Sequence, residues 1–90
     1  MTDIVARVEE FVFESLLLGD RSRMPESTDS LIETGVIDST GVLELIEFLE
    51  GTFGISIGDS ETIPDNLDSI DRIVEFVASK LGLAMASSAR

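Results

Sequence analysis

The chain has 90 residues, a formal net charge of −12 and a hydrophobic content of 43%. It contains no Cys, His, Trp or Tyr, which excludes an imidazole base, a thiolate nucleophile, a disulfide framework and the soft ligands that zinc prefers. A chain this short buries about 60 to 65 percent of its unfolded surface, so we expect a single domain without room for a deep enzyme cleft. We also expect it to be a monomer that holds no metal. Its charge repels nucleic acid and anionic lipid and favours partners with basic surfaces.

The first predicted element is an amphipathic helix over residues 3–18. Apolar residues recur at helical spacing, with Glu9, Glu10 and Glu14 between them and Gly19 placed as a helix stop. Because the N-terminal segment has neither the charged start nor the long apolar run of an export signal, we expect a cytoplasmic protein. The apolar positions are Ile4, Val5, Val8, Phe11, Val12 and Leu16.

A long loop is predicted next, from Asp20 to Ile37. Pro25 and Gly35 interrupt the helical pattern there. Four apolar residues are expected to anchor this loop to the core: Leu31, Ile32, Val36 and Ile37.

The second helix is predicted over residues 39–53, with Gly54 as its stop. A wide apolar stripe along this helix indicates that it packs against the core. The stripe consists of Val42, Leu43, Leu45, Ile46, Leu49 and Phe53.

A loop over residues 55–63, with Ile55 and Ile57 pointing inward, leads to a short third helix. Pro64 suits the first turn of that helix, which we expect to end at about Leu67.

The last predicted helix begins after Ser69 as N-cap, carries Lys80 in its last turn and stops before Gly82. Its apolar residues are Ile70, Ile73, Val74, Val77 and Leu81. The fold class is therefore an all-α bundle of three longer helices and one short third helix, with a long first loop. We expect one domain over residues 1–83 and a disordered tail over residues 84–90.

The start of the second helix offers a candidate site. If Asp38 is the N-cap, its carboxylate accepts hydrogen bonds from the first turn, and Ile37 and Val42 form a hydrophobic staple. The Ser39 hydroxyl is then left free at a helix N-terminus, where a phosphate ester would be stabilised by the helix dipole. Taken alone, Asp-Ser-Thr is an ordinary way to begin a helix.

The segment Gly35-Val36-Ile37-Asp38-Ser39-Thr40 and its surroundings resemble the acyl carrier and peptidyl carrier family, whose motif is Gly-x-Asp-Ser-Leu at the start of the second of four helices. The resemblance runs from about Ile4 to Leu81 and includes the long first loop, the acidic second helix and the short third helix. It implies that a phosphopantetheinyl transferase moves phosphopantetheine from coenzyme A onto Ser39, and that acyl groups are carried on the terminal thiol of this cofactor as thioesters. It also implies that the protein itself is a carrier and not an enzyme.

A second Asp-Ser pair, Asp68-Ser69, also precedes an apolar residue. The modified serine of the resembling family precedes three helices, as Ser39 does, whereas Ser69 precedes one. We therefore interpret Ser69 as an ordinary cap.

Partner recognition is predicted on the acidic second helix. Glu44, Glu47 and Glu50 are spaced three apart, which places them roughly on one side of the helix. Without the resemblance, such a face would be interpreted as solvated surface. The family presents this helix to basic patches on acyl-loading and acyl-transfer enzymes, so the resemblance implies docking roles for these residues and for Asp38 and Thr40.

Two positions depart from the family pattern, since Thr40 replaces the usual Leu and Gly41 replaces an often acidic residue. A helical Gly costs up to about 1 kcal/mol relative to Ala, so we expect a looser first turn. These departures favour a carrier for a specialised lipid or secondary-metabolite pathway over the general carrier of fatty acid biosynthesis. An aminoacyl or peptidyl carrier, and a helical interaction adaptor without a cofactor, remain as alternatives.

Overall fold

The computed structural model describes residues 2–82, with side chains described from Ile4 onward, and this part of the chain is helical without a strand. The four α-helices are α1 (Thr2–Phe11), α2 (Ser39–Phe53), α3 (Pro64–Leu67) and α4 (Ile70–Lys80). Helices α1 and α3 both pack against α4. The predicted all-α class, with three longer helices and a short third one, is confirmed.

The first helix differs from its predicted form, because α1 ends at Phe11 and continues as a π-helical segment over Val12–Leu16. The most buried positions of this region are Ile4, Val8, Val12 and Leu17, spaced four, four and five residues apart. The last interval fits the wider turn of a π-helix. Gly19 then has a φ of +85° and its N–H donates to the Phe13 carbonyl at 2.9 Å, which confirms it as the stop.

The long first loop is tied to the junction of α3 and α4 through Asp68. The Leu31 N–H donates to the Asp68 carbonyl at 2.8 Å, while Ser30 Oγ and the Ile32 N–H donate to its carboxylate at 2.7 and 2.9 Å. Leu31 is fully buried, but Ile32 is 51% exposed, so its prediction as an anchor is wrong. With both backbone N–H groups turned toward Asp68, only Leu31 inserts its side chain into the core. The predicted anchors Val36 and Ile37 are buried.

Helix α2 has the predicted bounds and ends at Gly54, which has a φ of +69°. Its buried positions are Gly41, Leu45 and Leu49, one every four residues. Leu43 is 63% exposed, so its inclusion in the core stripe is wrong. It lies two residues, or about 200°, from both Gly41 and Leu45, which places it on the opposite face.

The C-terminal half follows the predicted pattern except at its end. Ile55 and Ile57 are partly buried against the core, and α3 begins at Pro64 as predicted. Leu81 lies beyond the last residue of α4 and is 39% exposed, so its assignment to the apolar face of the helix is wrong. The predicted disordered tail lies outside the described residues. Within residues 2–82, no helix has the length and apolar content needed to cross a membrane.

Candidate functional site

The start of α2 is organised by the side chain of Asp38. Its carboxylate Oδ1 accepts a hydrogen bond from the Gly41 N–H at 2.8 Å, and its carbonyl accepts one from the Val42 N–H at 2.8 Å. The backbone of Asp38 is extended, as at an N-cap, and Ser39 is the first helical residue. The predicted cap assignment is confirmed.

Ser39 is exposed, and its hydroxyl makes no hydrogen bond to any of the residues that the structure describes. Because Asp38 supplies the cap, the Ser39 oxygen is not needed to satisfy the first turn. The hydroxyl also lies at the positive end of a helix of 15 residues, where negative charge is favoured. These properties fit the chemistry of a phosphodiester link, which requires an accessible hydroxyl and benefits from a nearby positive potential.

Two adjoining depressions near the start of α2 share Ile32, Ile37 and Val42 in their walls. The first includes Ser39 itself and is open to solvent. The second extends toward α3, is almost entirely apolar and holds about 100 Å³. Ile37 is buried and Val42 is partly buried, and both line the two depressions. The staple contact between them stays a prediction. The second depression is lined in addition by Thr62, Ile63, Pro64 and Leu67.

The competing serine, Ser69, is used differently. Its side chain is buried, with 3% relative exposure, and its Oγ accepts a hydrogen bond from the Arg72 N–H at 3.1 Å. Ser69 is therefore the N-cap of α4, as predicted, and its oxygen is neither accessible nor free.

The acidic residues of α2 are not equivalent. Glu44 and Glu47 are exposed, whereas Glu50 is partly buried and accepts a hydrogen bond from the Ile57 N–H at 2.9 Å. Glu50 thus holds the loop that follows α2, in addition to any contribution to the surface charge. The docking roles of all three residues stay predictions.

The two departures near Ser39 also differ from each other. Thr40 is exposed, but Gly41 is buried, and a Cβ at Gly41 would lie 3.0 Å from Ile37 Cγ1 and 3.4 Å from Leu16 Cδ2. The first turn is therefore closed and tightly packed, contrary to the expectation that glycine leaves it loose.

The sequence interpretation missed an exposed apolar residue beside Ser39. Leu43 follows Ser39 by four residues and so lies on the same side of α2, next to the exposed Glu44 and Glu47. The signal was present in the sequence, since the four-residue spacing of Leu45 and Leu49 already defines a core face that excludes Leu43.

A small acidic helical bundle whose second long helix begins with an exposed serine hydroxyl, without a hydrogen bond to any described residue, has the architecture of a carrier protein. Two curated relatives are similar to this chain, the D-alanyl carrier proteins of Streptococcus pyogenes strains Manfredo and NZ131. Each is 38% identical over 73 residues, which cover 78% of this chain and 90% of the relative. No protein-family model matches the chain, and no solved structure matches it significantly.

The chain belongs to the phosphopantetheine carrier proteins. It is a carrier and not an enzyme, and the cofactor of its family is covalently attached phosphopantetheine. Members of this family interact with a phosphopantetheinyl transferase and with the enzymes of their pathway. The relatives therefore favour a carrier over an adaptor that lacks a cofactor.

Proposed function

We propose that this protein carries a small carboxylic acid, with an aminoacyl group as the first candidate, on phosphopantetheine attached to Ser39. The observation that carries the attachment site is the cap arrangement. Asp38 satisfies the Gly41 N–H at 2.8 Å, and this leaves the neighbouring Ser39 hydroxyl exposed and unbonded among the described residues. Ser69 lacks both properties.

The residues around Ser39 have separable roles in this proposal. Asp38 holds the first turn of α2 closed, so that the Ser39 hydroxyl has a fixed position when a transferase approaches. The helix N-terminus stabilises the negative charge of a phosphate ester on that oxygen. When bound, phosphopantetheine supplies the terminal thiol on which a carboxylic acid is held in activated form.

The size of the apolar depression supports a small cargo. It holds about 100 Å³, whereas an engineered cavity of about 150 Å³ accommodates a single benzene ring. The apolar depression therefore has room for only a few carbon atoms. The depression that Ser39 itself lines is larger, at about 540 Å³, and is open to solvent. The names of the relatives, which are D-alanyl carriers, point to an amino acid small enough for the apolar depression.

A specialised acyl group is the second candidate, favoured by the apolar walls of the same depression. Thr40 supports a dedicated pathway in either case. It exposes a small polar side chain where the family pattern has Leu, so enzymes that rely on an apolar contact at this position would bind more weakly.

Recognition by partner enzymes is proposed to combine the charges of Glu44 and Glu47 with the apolar side chain of Leu43. All three are exposed on α2, and α2 contains no basic residue. A basic patch with an apolar centre is the matching partner surface.

The attachment site is tested by intact mass after incubation with coenzyme A and a broad-specificity phosphopantetheinyl transferase. Wild type and Ser69→Ala are expected to gain one phosphopantetheine group, and Ser39→Ala none. An adduct on Ser39→Ala, or none on wild type, would overturn the assignment.

The cargo is tested on the modified protein, which is offered D-alanine or octanoate, each with ATP and a ligase that activates it. We expect the mass of an aminoacyl group to appear faster than that of the octanoyl group. Faster octanoyl loading would favour the second candidate, and Ser39→Ala is the control for loading elsewhere.

A further inference from the structure

The end of the first helix lies against the first turn of α2. The π-helical segment Val12–Leu16 widens the last turn, so that Leu17 is buried in the core while Leu16 stays partly buried beside it. Leu16 Cδ2 would lie 3.4 Å from a Cβ placed on Gly41. The π-helical turn thereby brings a second leucine against the turn that begins with Ser39.

Three side chains lie close to the position that a Cβ of Gly41 would occupy. Besides Leu16, a Cβ at this position would lie 3.0 Å from Ile37 Cγ1 and 3.4 Å from the Oδ1 atom of Asp38. That Oδ1 atom is the one that accepts the hydrogen bond from the Gly41 N–H at 2.8 Å. A methyl group on residue 41 would therefore be crowded by Ile37 and would lie in van der Waals contact with the capping carboxylate.

Backbone strain does not explain this glycine. Gly41 lies within α2 and, unlike Gly54, does not have a positive φ, so any residue can adopt its backbone conformation. The closest approach, 3.0 Å to Ile37 Cγ1, is instead tighter than most Cβ contacts, so Ile37 would have to shift by a few tenths of an ångström. Space, rather than backbone conformation, favours glycine at this position.

We propose that Gly41 is a positioning residue for Ser39. The absent side chain lets Leu16 and Ile37 close on the first turn and keeps the Asp38 carboxylate on the Gly41 N–H, which fixes the place of the adjacent hydroxyl. This inference rests on the proposed attachment of phosphopantetheine to Ser39. It explains the glycine at position 41, where the family often has an acidic residue, by the efficiency of that attachment.

The same helix contains a matched control. Gly51 is exposed in α2, and a Cβ there would meet no atom within 4 Å. Gly51→Ala is expected to raise the Tm by about 4 °C, because alanine favours the helix, and to be modified at the wild-type rate. Gly41→Ala is expected to lack this gain in Tm. Its kcat for modification should fall about tenfold, because a small misplacement of a reacting group is costly.

The kcat of modification is measured at saturating concentrations of the carrier variant and of coenzyme A, well below the Tm of every variant, with helical circular dichroism recorded in parallel. Ser69→Ala, which loses the cap of α4, serves as a destabilised protein with an unaltered Ser39 region. If Ser69→Ala is modified at the same rate as wild type, reduced stability alone does not slow the reaction.

The outcomes are distinguishable. A tenfold lower kcat for Gly41→Ala alone supports the proposal. A wild-type rate for Gly41→Ala overturns it, as does equal slowing of Gly41→Ala and Ser69→Ala. Absence of modification in the wild type and in Gly51→Ala would instead overturn the proposed function.

Discussion

Two of the four Asp-Ser pairs of this chain, Asp38-Ser39 and Asp68-Ser69, lie at the starts of α-helices and begin them in different registers. At Asp38-Ser39 the aspartate caps the helix and the serine is exposed as the first helical residue. At Asp68-Ser69 the serine caps the helix and is buried, and the aspartate binds the long loop instead. The same dipeptide, each time after an apolar residue, therefore yields one accessible hydroxyl and one that is consumed by the fold.

The difference arises from what precedes each pair. Asp68 directly follows Leu67, the last residue of α3, and has a φ of −86° and a ψ of 5°, which is not the extended backbone of an N-cap. The first extended residue after α3 is Ser69, so it must cap α4. Asp38 follows a loop and is itself extended, so it is free to cap α2.

The largest expected loss of stability is at Asp68, the aspartate that does not cap a helix. Asp68→Ala removes the acceptor of two hydrogen bonds that tie the long loop to the α3–α4 junction, from Ser30 Oγ and the Ile32 N–H. Hydrogen bonds to charged groups contribute about 1.5 to 3 kcal/mol each, and partial exposure reduces this. We expect a loss of roughly 2 kcal/mol in the free energy of unfolding, or about 10 °C in Tm.

Asp68→Asn provides the matched control for urea and thermal unfolding, since its amide oxygen still accepts from the Ile32 N–H. It should recover at least half of the stability that Asp68→Ala loses. Equal loss in both variants would mean that the negative charge, rather than the hydrogen-bond geometry, holds the loop.

The next largest expected loss of stability is at Asp38, the aspartate that caps α2. Asp38→Ala should cost about 1 kcal/mol in the free energy of unfolding, the usual contribution of an N-cap. It should also slow phosphopantetheine attachment, because the turn that holds Ser39 loses its cap. Asp38→Asn keeps a capping oxygen and should retain wild-type stability within a few tenths of a kcal/mol. If Asp38→Asn is stable but is modified as slowly as Asp38→Ala, the transferase recognises the charge.

The sequence was sufficient for the elements whose signals are local. The bounds of α2, the proline that begins α3 and the Ser69 cap follow from spacing and cap chemistry alone. The sequence also identified Ser39 as the candidate site, although this needed the resemblance as well as the cap. Leu43 was assigned to the core face, although the spacing of Leu45 and Leu49 places it on the opposite face.

Features that depend on tertiary contacts were not predictable from the sequence. The π-helical turn follows from the need to bury Leu17 while Leu16 packs on Gly41, and neither contact is local. The exposure of Ile32 follows from its hydrogen bond to Asp68, 36 residues away. From the sequence, Gly41 was expected to loosen the helix, because the low helix propensity of glycine is known. The tertiary neighbours of Gly41 cannot be read from the sequence.

The helices that begin at Ser39 and after Ser69 also expose different surfaces. Helix α2 exposes Glu44 and Glu47, whereas α4 buries six of its eleven residues. If α2 is the docking surface, Glu44→Lys combined with Glu47→Lys should slow modification about threefold at low salt, through the association rate. The wild-type rate should also fall as the salt concentration rises.

The control for this charge reversal combines Glu9→Lys with Glu75→Lys, which changes the net charge equally at exposed positions outside α2. Glu50 is left intact because its reversal would also break the hydrogen bond to the Ile57 N–H. Equal slowing by both double variants would assign the effect to net charge and count against docking on α2.

The smallest expected effect concerns the far ends of the two helices. Helix α2 ends in a glycine turn at Gly54, while the end of α4 depends on an ion pair in which Lys80 Nζ lies 2.9 Å from Glu61 Oε1. The N–H of Gly58 donates to the same carboxylate at 2.9 Å. This hydrogen bond, followed by the interactions with Lys80, holds the pKa of Glu61 below its ordinary value of 4.5.

A lowered pKa in the folded state means that Glu61 stabilises the fold above its unfolded pKa and that this contribution is lost as the pH falls through the folded pKa. The Tm difference between wild type and Glu61→Gln should therefore be constant near neutral pH and shrink below about pH 4.5. Glu47→Gln, which removes the same charge from an exposed position of α2, controls for the general effect of net charge. Because the Glu61 carboxylate is near the surface and accessible to solvent, we expect a shift in Tm of only a degree or two. A Tm difference that stays constant from pH 7 to pH 3 would show that the Gly58 hydrogen bond and the Lys80 pair do not contribute through the charge of Glu61.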